Sequence, residues 1–143
     1  HQLIITMTRI NLVPPRELTD QHLVAEYREI FMVGTSLQRS IASKSWSKTL
    51  TSLPVDFTLN KGHVKFFYNK GFYLYTRYHQ LVYEMKQRGM APDPSRRFKV
   101  EQWPGELWND WEPTLRDKQI IRERIKERIS EKPGWYRWSY VEL

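Results

Sequence analysis

Apolar positions at Leu23, Tyr27, Ile30, Gly34, Leu37 and Ile41 recur at alternating intervals of four and three residues. That is the period of one face of an α-helix. Thr19 or Asp20 offers an N-cap, so the spacing predicts one long helix over residues 20–43, crossing the core. Pro14-Pro15 forbids helix upstream, and residues 8–18 read as an irregular arm. A second stripe at Leu74, Tyr78, Leu81, Val82 and Met85 predicts a helix over 70–88, capped by Asn69 and stopped by Gly89. Ile121, Ile125 and Ile129 predict a third helix ending near residue 131, opened by a Thr114/Asp117 capping box and closed by Pro133-Gly134. Residues 44–62, rich in Ser, Thr and Lys with Pro54, read as loop. Residues 90–113 contain Trp103, Trp108 and Trp111, which are costly to leave in water, so they read as an ordered loop.

Three long helical stripes with no strand alternation predict an all-α fold: a compact single domain of three main helices with long ordered loops. At 143 residues the chain suits one domain with a modest core. No internal repeat or low-complexity tract divides it. No apolar run approaches the roughly 18–20 residues of a membrane helix, and Leu3-Ile4-Ile5 is too short for a secretory signal. The absence of cysteine excludes disulfides, thiolate catalysis and Cys-based zinc sites. An intracellular protein is the default expectation.

Charge adds a direction to this picture. The net charge is +7, and residues 61–99 carry nine Lys/Arg against two Asp/Glu. The flanking segments are close to neutral. A basic middle predicts a side that faces a polyanion, with nucleic acid favoured over a merely lysine- and arginine-rich surface.

Two short stretches carry candidate chemistry. His22, Glu26 and Glu29 stand at i, i+4 and i+7 on the first helix and share a face beside its apolar stripe. Two carboxylates one turn apart disfavour double ionisation, which suits one of them to proton transfer. An ordinary solvated helix edge has the same spacing. The second stretch is Met7-Thr8: loss of the methionine would leave Thr8 with an α-amine. Such an amine has a pKa of roughly 7.7–8.0 and is partly unprotonated near neutral pH. Its attack on a sugar carbon makes an imine, which acidifies the adjacent position and permits elimination. On its own, the pair is better explained as a simple start site.

Taken together, Met7-Thr8-Arg9-Ile10-Asn11-Leu12, Leu18, Asp20-Gln21-His22-Leu23 and Ala25-Glu26-Tyr27-Arg28-Glu29 resemble the pyrimidine-dimer DNA glycosylase family of T-even phages. These are the ultraviolet-repair enzymes also called endonuclease V. The similarity continues at Gly62-His63-Val64, Phe66-Phe67-Tyr68, Lys86 with Arg88-Gly89, and Pro133 with Trp135-Tyr136. It departs at Ile30-Phe31-Met32-Val33, where the family has a proline and an arginine, which predicts a missing basic DNA contact.

The resemblance implies a compact all-α domain, which agrees with the three stripes. It implies a nucleophile at the Thr8 amine, attacking the sugar carbon under the 5′ base of a cyclobutane dimer, and a catalytic carboxylate at Glu29. β-Elimination from the imine then gives coupled abasic-site lyase activity, without metal or organic cofactor. It implies DNA contacts at Arg9, Gln21, His22 and Arg28, with Arg9 and Arg28 as candidates for phosphates. Lys86, Arg88, Tyr136 and Arg137 are further candidates, as is His63, which either supports the site from a loop or only satisfies local backbone groups. Family members kink the duplex and turn out a base opposite the lesion. The expected partner is double-stranded damaged DNA, with no membrane, bound by a monomer inside a host cell, with a viral gene as one origin.

The aromatic tail has two readings: Trp135, Tyr136 and Trp138 stack on or wedge near bases with Arg137 on phosphate, or they plug the core, and core packing is expected for at least one of Trp135 and Trp138. The alternative functions are a non-catalytic nucleic-acid-binding module on the same fold, or an abasic-site lyase with a different damaged-base preference. One conflict remains: with His1 to Thr6 attached, residue 8 offers an amide rather than an amine. The expectation is that these six residues are an appended scar or an overlong reading frame. The domain would then be 8–143, and 1–7 would not belong to the active protein.

Overall fold

A computed structural model describes residues 9–140. Its helices are α1 (Asp20–Glu29), α2 (Phe31–Ile41), α3 (Trp46–Thr51), α4 (His63–Phe66), α5 (Gly71–Gln87) and α6 (Leu115–Glu131). Short 3-10 turns interrupt the loops, and no strand occurs among the described residues. The all-α expectation is met. The apolar stripes do what their periods imply: Leu23, Ile30, Leu37, Leu74, Leu81 and Ile121 are fully buried in one core. Trp103 is buried and Trp108 and Trp111 pack against the same core, so residues 90–113 are an ordered loop.

The predicted first helix is broken at Ile30, between α1 and α2. The cause lies far away in sequence. The Arg96 guanidinium donates to the carbonyls of Tyr27 (2.5 Å) and Arg28 (2.8 Å). Those are the acceptors a continuous helix would offer to the N–H groups of Phe31 and Met32. Arg96 also lies over the rings of Tyr27 and Phe31, at 4.3 and 4.0 Å from their centroids. A cation stacked on two aromatics is thereby held where it competes for helix carbonyls.

Two further expectations change. Residues 44–62 contain the short helix α3, whose Trp46 packs against the core. Helix α5 begins after Lys70, and Asn69 does not cap it: its Oδ1 accepts from Lys70 Nζ at 2.8 Å instead. At α6 the capping box is present, with Thr114 Oγ1 accepting the Asp117 N–H (3.0 Å) and Asp117 Oδ2 accepting the Thr114 N–H (2.9 Å). Gly89 stops α5 in the left-handed region at φ 81°, a conformation that costs glycine little.

Candidate active site and nucleic-acid interface

The arm at residues 9–13 is threaded onto α1 by buried polar groups. Glu26 forms a two-pronged ion pair with Arg77 of α5, at 2.7 and 2.9 Å. Its Oε1 also accepts the Asn11 N–H (3.2 Å), while Arg77 Nη1 donates to the Val13 carbonyl (2.6 Å). Glu26 outweighs the cost of burial at Arg77 and raises its pKa above the ordinary value. Between these anchors Leu12 adopts φ 55° inside a three-residue turn closed from Val13 N–H to the Asn11 carbonyl. A non-glycine residue in the left-handed region costs about 1–3 kcal/mol and persists only where its surroundings over-determine it. Here the Glu26–Arg77 pair supplies that constraint.

His63, the first residue of α4, adds a third anchor. It is fully buried, its Nε2 accepts the Ile10 N–H at 2.9 Å, and its Nδ1–H donates to the Thr58 carbonyl at 2.8 Å. Burial drives its pKa down to about 4, so the ring is neutral at physiological pH. The expectation that His63 contacts DNA is therefore corrected. Enclosed and with both nitrogens engaged, it has nothing to offer a phosphate, and it holds the arm in place.

Glu29, at the last turn of α1, is half-buried. Burial raises its pKa, the main-chain N–H and guanidinium of Arg9 pull it back, and Glu26 raises it again. A carboxyl so placed exchanges protons more readily near neutral pH than an exposed one. Arg9 is half-buried too, and its Nη1 donates to the Leu59 carbonyl at 3.0 Å. Its charge is disfavoured first by burial and then by Arg124 and Arg128 of α6, with Glu29 acting in the opposite sense. Arg128 also disfavours protonation of His22. One guanidinium thus acts electrostatically on both the arm and α1. Arg124 and Arg128 acting on Arg9, which itself acts on Glu29, form a cluster of cations that gains from an incoming polyanion.

The tail, residues 135–140, lies as a strap across the start of α1. Gln21 clasps its backbone, donating from Nε2 to the Trp135 carbonyl (2.8 Å) and accepting the Arg137 N–H (3.2 Å). Asp20 accepts from the Ser139 N–H (3.0 Å) and from its hydroxyl (2.5 Å). Tyr136 stacks on His22 with ring centroids 4.9 Å apart and planes 6° from parallel. Neither tail tryptophan enters the core: Trp135 is 51% and Trp138 44% exposed. That expectation is corrected. The core is already filled by Trp103 and its neighbours, and the strap is held by hydrogen bonds rather than by burial.

Residues 7–98 match the family model described as pyrimidine dimer DNA glycosylase. The chain belongs to the pyrimidine dimer DNA glycosylase family. Membership makes it a DNA-repair glycosylase whose partner is damaged DNA. Among the described residues no helix is long and apolar enough to cross a membrane, and no group of three or more His, Asp or Glu could hold a metal ion.

The residues singled out from the sequence of this glycosylase fall into separate places. Arg9, His22 and Glu29 belong to the cluster just described, and Tyr136 joins it through His22. Gln21, Arg28, Arg88 and Arg137 line one cavity of about 590 Å³ on the neighbouring side of α1, walled by Val24, Met90 and Trp135. Within it Arg28 is exposed, whereas the Gln21 amide is spent on the strap. Arg88 is corrected as a DNA contact. It is buried against Glu84 (2.8 Å) and Asp20 (2.9 Å), with further bonds to the carbonyls of Pro15, Arg16 and Leu18. Lys86 is exposed but lines a different cavity of about 290 Å³ with His79, Pro92 and Arg96. Thr8 lies outside the described residues.

Sequence reasoning missed Arg124 and Arg128. Segment charge hid them, because residues 100–143 sum to nearly zero. Their i, i+4 spacing on α6 was the available signal, since it puts both on one helix face.

Proposed function

We propose that this chain excises the base at cyclobutane pyrimidine dimers in duplex DNA and then cleaves the abasic strand by β-elimination. The reaction would run through an imine to the α-amine of Thr8. The observation that carries this reading is the half-buried Glu29 carboxyl, whose pKa is raised by burial and pulled back by Arg9 of the arm. Residue 9 is the immediate neighbour of the proposed nucleophile. A carboxyl of raised pKa beside the arm can take up and return the protons that imine formation and elimination require.

The arm anchors support the same reading. Reaction through a chain terminus demands that the terminus be held, because an unrestrained one loses effective concentration. Glu26, Arg77 and His63 fix the backbone from Ile10 to Val13. Arg9, Arg28, Arg124 and Arg128 would bind phosphates, and Arg137 at the cavity mouth would extend that track. The proposal requires a free amine at residue 8, and hence removal of His1 to Met7 from the working protein. The family match begins at Met7, which is consistent with that requirement.

Borohydride trapping on dimer-containing duplex tests the reading. A chain beginning at Thr8 should give a covalent adduct that disappears when its amine is acetylated. Normal binding with no adduct from that chain would leave a non-catalytic binding module. Glu29→Gln should keep damage binding and slow base excision by roughly 10²–10⁴-fold, measured in single turnover. Excision within a factor of about three of the unsubstituted chain would remove Glu29 from the mechanism.

A further inference from the structure

We infer that Thr19 is a positioning residue that fixes His22 as the tautomer carrying its hydrogen on Nε2, so that His22 meets the DNA as an uncharged hydrogen-bond donor. The inference rests on the glycosylase reading above only for what the donor faces. Thr19 Oγ1 accepts the His22 main-chain N–H at 3.0 Å as the N-cap of α1. The same oxygen lies 2.6 Å from His22 Nδ1. Thr19 is 0% exposed, so its hydroxyl hydrogen has no route to bulk water. A buried hydroxyl that already accepts one main-chain N–H gives its single hydrogen to the acceptor within reach, which is Nδ1. An Nδ1 that accepts leaves the ring hydrogen on Nε2.

The ring is held on its face as well. Tyr136 of the strap stacks nearly parallel on it and opposes a ring flip that would put Cδ2 in the place of Nδ1. The charged groups around it agree with a neutral ring. Burial and Arg128 of α6 disfavour the cation, while Glu26, one turn along α1, favours it and is itself engaged by Arg77. Asp20, next in the chain to Thr19, is turned to Arg88 and Ser139. His22 therefore does not serve as a phosphate-binding cation. Its Nε2–H suits an oxygen acceptor on the damaged nucleotide, in a site where Arg9, Arg124 and Arg128 already carry the positive charge.

Nitrogen-15 histidine labelling of the full chain tests this, with the four histidines distinguished by a His22→Gln spectrum. At neutral pH, His22 is expected to show an unprotonated Nδ1 and a protonated Nε2. Thr19→Val should lower that tautomer preference by roughly fivefold and raise the His22 titration midpoint, and Thr19→Ser should restore both. The acid limb of single-turnover excision should move to higher pH in Thr19→Val and return in Thr19→Ser. A hydrogen on Nδ1, a doubly protonated ring at pH 7, or a Thr19→Val spectrum like that of the parent overturns the assignment. If Thr19→Val does not fold, the parent spectrum decides alone. In the chain that begins at Thr8, the expected tautomer without base excision upholds the Thr19 assignment and refutes the imine mechanism instead.

Discussion

The basic middle of the chain and its near-neutral end use their cations differently. Residues 61–99 hold nine cations against two carboxylates, yet Arg77 and Arg88 are buried in ion pairs, and Arg96 is stacked on Tyr27 and Phe31. Lys70 is half-buried over the Phe66 ring at 3.8 Å, and burial lowers its pKa to about 8. Residues 100–143 carry almost no net charge, yet Arg124 and Arg128 reinforce the effect of burial at Arg9, and Arg128 does the same at His22. A charge count weighs every residue equally. An electrostatic surface depends on which residues remain in contact with solvent, and buried arginines have spent their charge on internal partners. The expectation that the middle is the DNA face loses these four cations, while Lys61, Lys65, Lys86, Arg97 and Lys99 stay exposed.

The sharpest way to break this contrast is at Arg77. Arg77→Met should destabilise the fold by about 3–5 kcal/mol in urea unfolding, because it leaves the Glu26 carboxylate buried and unpaired. A loss below about 1 kcal/mol would return Arg77 to the class of surface cations. The next largest effect is a pH dependence from His63. Its folded-state pKa lies near 4, below the ordinary value of 6.5. The unfolded chain therefore takes up this proton first as pH falls. The stabilisation is complete above pH 6.5 and is lost progressively between about 6.5 and 4, amounting to about 3 kcal/mol. His63→Gln should flatten that part of the stability profile, and an unchanged profile would separate the arm from His63.

The smallest effects concern binding. Arg124→Ala and Arg128→Ala should each leave stability within about 0.5 kcal/mol and reduce the magnitude of the salt-dependence slope of duplex binding by about one. Lys86→Ala, in the nominally more basic segment, should leave that slope unchanged. The reverse result, with Lys86 dominant and the α6 arginines silent, would restore the middle of the chain as the DNA face.

The sequence by itself determined the helical class, the three long apolar stripes, the α6 capping box and the family. Each depends on residues close together in the chain or on a contiguous block, and local spacing records such features. It also put His22 and Glu29 on one face of α1, since three and four residues make a turn wherever the helix sits. Only tertiary structure decided which cations are free. It turned Glu26 inward to Arg77, enclosed His63 behind the arm, and broke the first helix at Ile30 by bringing Arg96 across from residues 27 and 28. It also laid the strap on Gln21 and brought Tyr136 against His22, contacts that span more than a hundred residues. The physical reason is common to all of these. Burial and ion pairing are properties of what surrounds a side chain, and those neighbours arrive from distant parts of the sequence.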